Sequence, residues 1–142
     1  MESNILNNNT LVNHAFSAQA PLFDQIQNSN PMLIWMRSII HRHVDEFLQP
    51  GDSILDINAG TGIDAVYFAQ RGHSVYAMDI AEGMVNEIRK KIAVLKLEDR
   101  ITAEQRSFTE ARALAPRQFD HIFSNFGGLN CVSDLVSVAE QL

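Results

Sequence analysis

Ser53-Ile54-Leu55-Asp56-Ile57-Asn58-Ala59-Gly60-Thr61-Gly62 runs from a short apolar segment into a turn that carries two glycines. The apolar run suits a buried strand, and the glycines let the backbone bend with positive φ. Ile63, Val66, Tyr67 and Ala69 follow at helical spacing, and Arg71-Gly72 closes that helix. A strand, a tight turn and a helix in this order form the first half of a βαβ unit. The unpaired N–H groups at such a helix start favour a carboxylate or phosphate. A turn of this kind also occurs with no ligand, so it decides the fold before it decides the function.

Upstream, Pro31 suits a first helical turn. Met32, Leu33, Met36, Ile39, Ile40, Val44, Phe47 and Leu48 predict an amphipathic helix to about Gln49, which Pro50-Gly51 stops. Downstream, His73 to Asp79 predicts a second strand. A helix from about Ala81 then puts Met84, Val85, Ile88, Ile92 and Leu95 on one face, with Arg89-Lys90-Lys91 on a solvated one. Ile101 to Gln105 reads as a third strand, Thr109 to Ala115 as a helical turn or two, and Phe119 to Ser124 as a fourth strand. Val132 to Leu142 reads as a last helix. This alternation predicts an α/β fold, a Rossmann-like three-layer sandwich with a parallel sheet and right-handed crossovers. Residues 31–142 are expected to form that core. Residues 1–13 hold five asparagines (Asn4, Asn7, Asn8, Asn9, Asn13), and residues 1–30 are expected to be a mobile head.

The 142 residues are 46% hydrophobic and 20% charged, which is globular composition for one domain. Acids outnumber bases 17 to 11, giving a net charge of −6, which disfavours binding to nucleic acid. The single cysteine, Cys131, excludes an internal disulfide and a multi-thiolate metal cage. The five histidines are scattered, and His41 and His43 stand two apart, a poor helical spacing for a shared metal, so no metal is expected. His14 alone is singled out for testing. No apolar run has the length of a membrane span and no signal pattern is visible, so the expected location is cytoplasmic.

In a parallel sheet of this kind, ligands bind beyond the carboxyl ends of the strands. Asp79 ends the second strand, 17 positions past Gly62. There it could accept hydrogen bonds from both ribose hydroxyls, or it could cap the next helix. Gly60 to Ala65 also fits the dinucleotide fingerprint G-x-G-x-x-A. However, Asp56 beside the loop is awkward next to a pyrophosphate and suits a ligand with an ammonium group.

Ile54 to Gly62 resembles the first motif, L-D-x-G-x-G-x-G, of the class I S-adenosylmethionine-dependent methyltransferases. Val75 to Val85 resembles the second, V-x-G-x-D-x-S-x-x-M-L, and Phe119 to Phe126 the fourth-strand motif. The resemblance implies strand order 3-2-1-4, S-adenosylmethionine as cofactor, and methyl transfer. It implies that Asp56, Asn58, Ala59, Gly60 and Gly62 shape the methionine end. Asp79 would hold the ribose, and Ile80 and Met84 would pack on the adenine faces. Ser107 and Phe108 would lie along the adenine edge, Asn125 near the sulfonium, and Phe16 and Phe23 in a lid. No catalytic base is assigned. The chain departs at Asn58, where the family has glycine, and at Ser107, where an acid is usual. Asparagine tolerates left-handed backbone, so Asn58 is expected at positive φ.

Asn125-Phe126-Gly127-Gly128 lacks the N-P-P-Y pattern of enzymes that methylate nucleic-acid amino groups. With the acidic charge, this favours a small-molecule acceptor. A NAD-dependent oxidoreductase and a non-catalytic nucleotide-cofactor-binding module are the alternatives. The resembling fold has seven strands against four counted here. The chain is therefore expected to be the front part of its enzyme, cut before strand five. An open fourth-strand edge or the terminal helix would then favour a homodimer.

Overall fold

The protein, described here from a computed structural model, is defined over residues 2–142, with side chains from Asn8 onward. Four strands form one parallel sheet: β1 (Ser53–Asp56), β2 (Ser74–Asp79), β3 (Ile101–Gln105) and β4 (His121–Phe123). Their order is β3-β2-β1-β4, so the chain reverses direction across the sheet between β1 and β4. Register sets Asp56 beside Ala77 and Phe123, and Asp79 beside Gln105. β1 and β4 therefore end level and β2 and β3 run two residues further, with the loops after β1, β2 and β4 along one rim.

Alternation along β1 divides the core. Ile54 joins Val75, Ala77, Ile101 and Phe123 under α3 (Ile63–Gln70) and α4 (Glu82–Leu95), with Ile40, Val44 and Leu48 packed alongside. Leu55 and Ile57 face the other way with Tyr76 and Met78. There they meet Phe108, Ala111 and Leu114 of a 3₁₀ helix, η1 (Phe108–Leu114), and Val138 of α5 (Leu135–Gln141). Both faces of the sheet are covered, which parallel sheets require. Strand β4 pairs with β1 alone among the described residues, and its Ile122 is 47% exposed. No helix among the described residues is long and apolar enough to cross a membrane.

Two helices precede the sheet: α1 (Glu2–Ser29) and α2 (Pro31–Asp45). Asn30 caps α2, accepting from the Met32 and Leu33 N–H groups, with Pro31 at the first position. Helix α2 ends four residues earlier than its apolar pattern suggests, in a turn at Glu46.

The expected mobile head is instead helix α1. Asparagine favours helices weakly, and tertiary packing overrides that preference here. Ala20 is buried with Ala81 and Met84, flanked by Phe16 and Phe23. The asparagine-rich stretch also supplies acceptors. Ala81, at the start of α4, offers no side-chain cap. Asn13 Oδ1 accepts from the Glu82 N–H at 3.1 Å, and Ser17 Oγ accepts from the Gly83 N–H at 3.0 Å. Helix α1 thus satisfies two N–H groups that α4 leaves unpaired. The Asn4 and Asn7 side chains lie outside the described residues.

Gly83 allows this approach. A Cβ there would lie 2.8 Å from both the Cα and the carbonyl oxygen of Ser17. Gly83→Ala is expected to lift α1 from α4 and to destabilise the protein by about 1–3 kcal/mol, as overpacking does. Urea unfolding and limited proteolysis within α1 check this. Unchanged stability with an equally protected α1 would contradict it.

Candidate active site

A cavity of about 310 Å³ opens along the carboxyl rim of the sheet. Its floor is the turn after β1, with Asn58, Ala59, Gly60 and Thr61. One wall is Asp79, Ile80 and Met84 after β2. The opposite wall is Asn125 to Gly128 after β4, and Phe108 closes one side. Phe16, Phe23 and Val12 of α1 line it as well, and Phe23 lies over Gly60, 3.8 Å from where a Cβ on that glycine would be. The lid implied for Phe16 and Phe23 is thus one face of a long helix.

The turn is shaped by Gly60 (φ 55°) and Gly62 (φ 80°). Asn58 does not share this geometry; the only non-glycine residues with positive φ are Lys96 and Phe126 among the described residues. The expectation for Asn58 fails because Gly60 and Gly62 supply the reversal. Gly62 does not line the cavity. It is the N-cap of α3, where a Cβ would press on Ile88 at 3.0 Å, so it sets how closely α3 approaches α4.

Asp79 ties the β1 and β2 loops together. Its Oδ2 accepts from the Gly60 N–H and its Oδ1 from the Ala81 N–H, both at 2.9 Å. The capping and ligand readings are compatible: a carboxylate has about four acceptor sites, more than these backbone bonds take. Burial pushes the Asp79 carboxyl above its ordinary value, only partly offset by bonds from Ala81, Gly60 and Ile80.

Asp56 lies beneath the floor, 2% exposed, and does not line the cavity. Its Oδ2 has no hydrogen-bond partner. Burial, then the Asp64 and Asp79 charges, push its carboxyl well above the ordinary range. Ser107 does not line the cavity either. It is buried as the cap of η1, accepting from the Thr109 N–H at 3.2 Å and pairing with the Thr109 hydroxyl at 2.7 Å. A serine that caps its own helix turns toward that helix, away from the cavity.

A buried ionic cluster stands at the other end. Asp64, in the first turn of α3, holds Arg37 Nη1 at 2.5 Å and His41 Nε2 at 2.6 Å, both from α2. Asn125 Nδ2 approaches the same carboxylate at 3.3 Å. Arg37 also donates to Gln27 of α1 at 3.0 Å and lies 4.5 Å from the centre of the Phe126 ring. Burial pushes Asp64 up, but the His41 hydrogen bond and the Arg37 charge outweigh it and hold the carboxyl below its ordinary value. Asp64, Arg37, Gln27 and Phe126 all line the cavity and were not singled out from the sequence. Asp64 two residues past the turn was a visible signal, but Arg37 and Gln27 come from distant segments. His14 is exposed on α1 and lines nothing; His41 is buried and His43 exposed. Of the basic triplet, Lys91 is not simply solvated: it pairs with Asp24 of α1 at 2.5 Å and donates to the Thr61 carbonyl at 2.7 Å.

A methyltransferase-domain family model matches residues 54–142, which span β1 to the end of α5. The chain belongs to this methyltransferase family. It is 32% identical over 85 residues to the demethylmenaquinone methyltransferase of Symbiobacterium thermophilum, covering 57% of this chain and 32% of that one. Over 66 residues it is 32% identical to the ribosomal protein L11 methyltransferase of Carboxydothermus hydrogenoformans, covering 46% and 22%. A solved structure from Methanococcus maripaludis, assigned to the S-adenosylmethionine-dependent methyltransferases, superposes with a TM-score of 0.71. The identity is 22%, with 88% of this chain and 56% of that one covered. The chain thus spans a third or less of the length of these curated relatives. Nothing in these comparisons favours an oxidoreductase.

Proposed function

We propose that the cavity binds S-adenosylmethionine and that the protein transfers its methyl group to a small-molecule acceptor. The observation that carries this reading is Asp79, which lines the cavity, is bonded to Gly60 and Ala81, and keeps acceptor capacity for a ribose hydroxyl. Ile80, Met84 and Phe108 give apolar surface to an adenine ring. At the far end Asp64 lines the wall with its charge matched by Arg37, and an unpartnered Asp56 oxygen lies below the floor as a further acceptor for an ammonium group.

The cofactor supplies an activated methyl group on a positively charged sulfur. The chain's own residues bind, orient and exclude water. Gly60 brings backbone close to the ligand, and Asn125 and Phe126 hold the wall facing it. Phe16 and Phe23 cover it from α1. Positioning reactants in line can account for much of the acceleration of such a displacement. Among the described residues no histidine lines the cavity, and no residue is assigned as a base. A small acceptor accords with the cavity's roof and with the net charge of −6, and a cytoplasmic location accords with the composition.

Isothermal calorimetry with S-adenosylmethionine, S-adenosylhomocysteine and NAD tests the binding. The expected result is affinity for the first two and none for NAD. A labelled-methyl screen over small-molecule, protein and RNA pools tests the acceptor class. Absence of binding to both sulfur ligands would overturn the proposal, and label confined to RNA or protein would overturn the acceptor class.

A further inference from the structure

Asn58 stands where the resembling motif has glycine, and its side chain is engaged at both ends. Its Nδ2 donates to the Asn125 carbonyl at 2.9 Å, and its Oδ1 accepts from the Ser124 hydroxyl at 2.6 Å. Both partners follow β4. The carboxamide therefore bridges the turn after β1 and the loop after β4, across the point where the sheet reverses direction. The side chain also rests on Gly128, the first residue of a short 3₁₀ helix, η2 (Gly128–Cys131). A Cβ built on Gly128 would lie 2.7 Å from the Asn58 Cβ and closer still to its Nδ2. No side chain but hydrogen fits opposite Asn58 without moving the backbone.

The loop held this way is a demanding one. Phe126 has φ 54° and Gly127 φ 76°. A bulky residue in left-handed backbone is unfavourable and persists only where its surroundings fix it. Asn125 is fixed at three points: its carbonyl by Asn58, its Oδ1 by the Phe126 N–H at 2.8 Å, and its Nδ2 by Asp64. Phe126 is held under Arg37. Asn58 is the member of this set that comes from the turn itself.

We propose that Asn58 is a positioning residue for methyl transfer. Its carboxamide pins the β4–η2 loop, with Gly128 as its complementary surface, and so sets the width of the slot between Gly60 and Asn125–Phe126. The inference rests on the cofactor reading above. The slot is where the amino acid end of the cofactor and the acceptor meet in that reading.

Cys131 makes this testable. It ends η2, lines the cavity and is the one cysteine of the chain, so its labelling rate reports on the loop without any ligand. Thiol labelling by Ellman's reagent and calorimetry with S-adenosylhomocysteine are compared for wild type, Asn58→Gly, Gly128→Ala and the double variant. Asn58→Gly is expected to label about tenfold faster and to bind about tenfold more weakly, the scale of one or two lost hydrogen bonds. Gly128→Ala alone is expected to be the more damaging, yet to add less than about threefold once Asn58 is glycine, because contacting residues couple. If Gly128→Ala alone does not fold, folding of the double variant is the same rescue. Wild-type labelling and affinity in Asn58→Gly would overturn the proposal, as would Gly128→Ala being equally harmful in both backgrounds. Failure of the wild type to bind the ligand defeats the cofactor reading, whereas wild-type labelling rates in a binding-competent Asn58→Gly protein defeat this inference alone.

Discussion

Asp64→Ala is expected to destabilise the protein by about 3–5 kcal/mol, the range for breaking a buried ion pair from one side. The Asp64 and Arg37 side chains are 10% and 13% exposed, so water cannot replace the lost partner well. Arg37 would retain only Gln27 and the Phe126 ring, and His41, stacked 3.6 Å from Tyr67, would lose its bond. Because both partners belong to α2, the damage should appear as loosening of α2 from α3. Urea unfolding at neutral pH measures it, and a loss under about 1 kcal/mol would show that the cluster carries little net energy. The sign with pH follows from the direction of the Asp64 shift. A carboxyl held below its ordinary value stabilises the fold above the unfolded value of about 4. That contribution is lost as pH falls through the depressed folded value. Wild type and Asp64→Ala should therefore converge in stability in acid.

Asp79→Ala is expected to weaken S-adenosylhomocysteine binding by about 2–3 kcal/mol, a loss of roughly 30- to 150-fold, the scale of a lost hydrogen bond to a charged group. Calorimetry on the folded variant measures it, and unchanged affinity would exclude Asp79 as the ribose acceptor. The variant also leaves the Gly60 and Ala81 N–H groups without their acceptor, so a modest fall in melting temperature should accompany it. Burial holds the Asp79 carboxyl above its ordinary value, so the protonated form persists to higher pH than in the unfolded chain. Ionising it costs stability as pH rises through that window. A protonated carboxyl accepts hydroxyl bonds poorly, so wild-type affinity should fall as pH drops through the raised value. In Asp79→Ala this acid limb should vanish.

The parallel sheet and its order were legible because their signals are local. Ile54-Leu55 and Val75 to Met78 are apolar runs bounded by turns, and the β3 boundaries match those read from the sequence. Gly60, Asp79, Ile80, Phe108 and Asn125 line the cavity because the loops after the strands open on that rim, and Met84 joins them from the first turn of α4. The sequence by itself determined which loops reach the carboxyl rim, because apolar strand runs and strand order place them without reference to distant segments. Tertiary structure decided the rest. Asn-rich sequence became helix where α1 packs on Ala81 and Met84, and Asn13 and Ser17 became caps because α4 offers unpaired N–H groups there. Arg37 reached the cavity because α2 crosses Asp64, and Asp56 and Ser107 were withdrawn from it by burial. Asn58 kept an ordinary backbone and used its side chain instead, because Asn125 and Gly128, nearly seventy residues away, supply an acceptor and a space. Such contacts join residues far apart in sequence, and their energy depends on distances that no local pattern encodes.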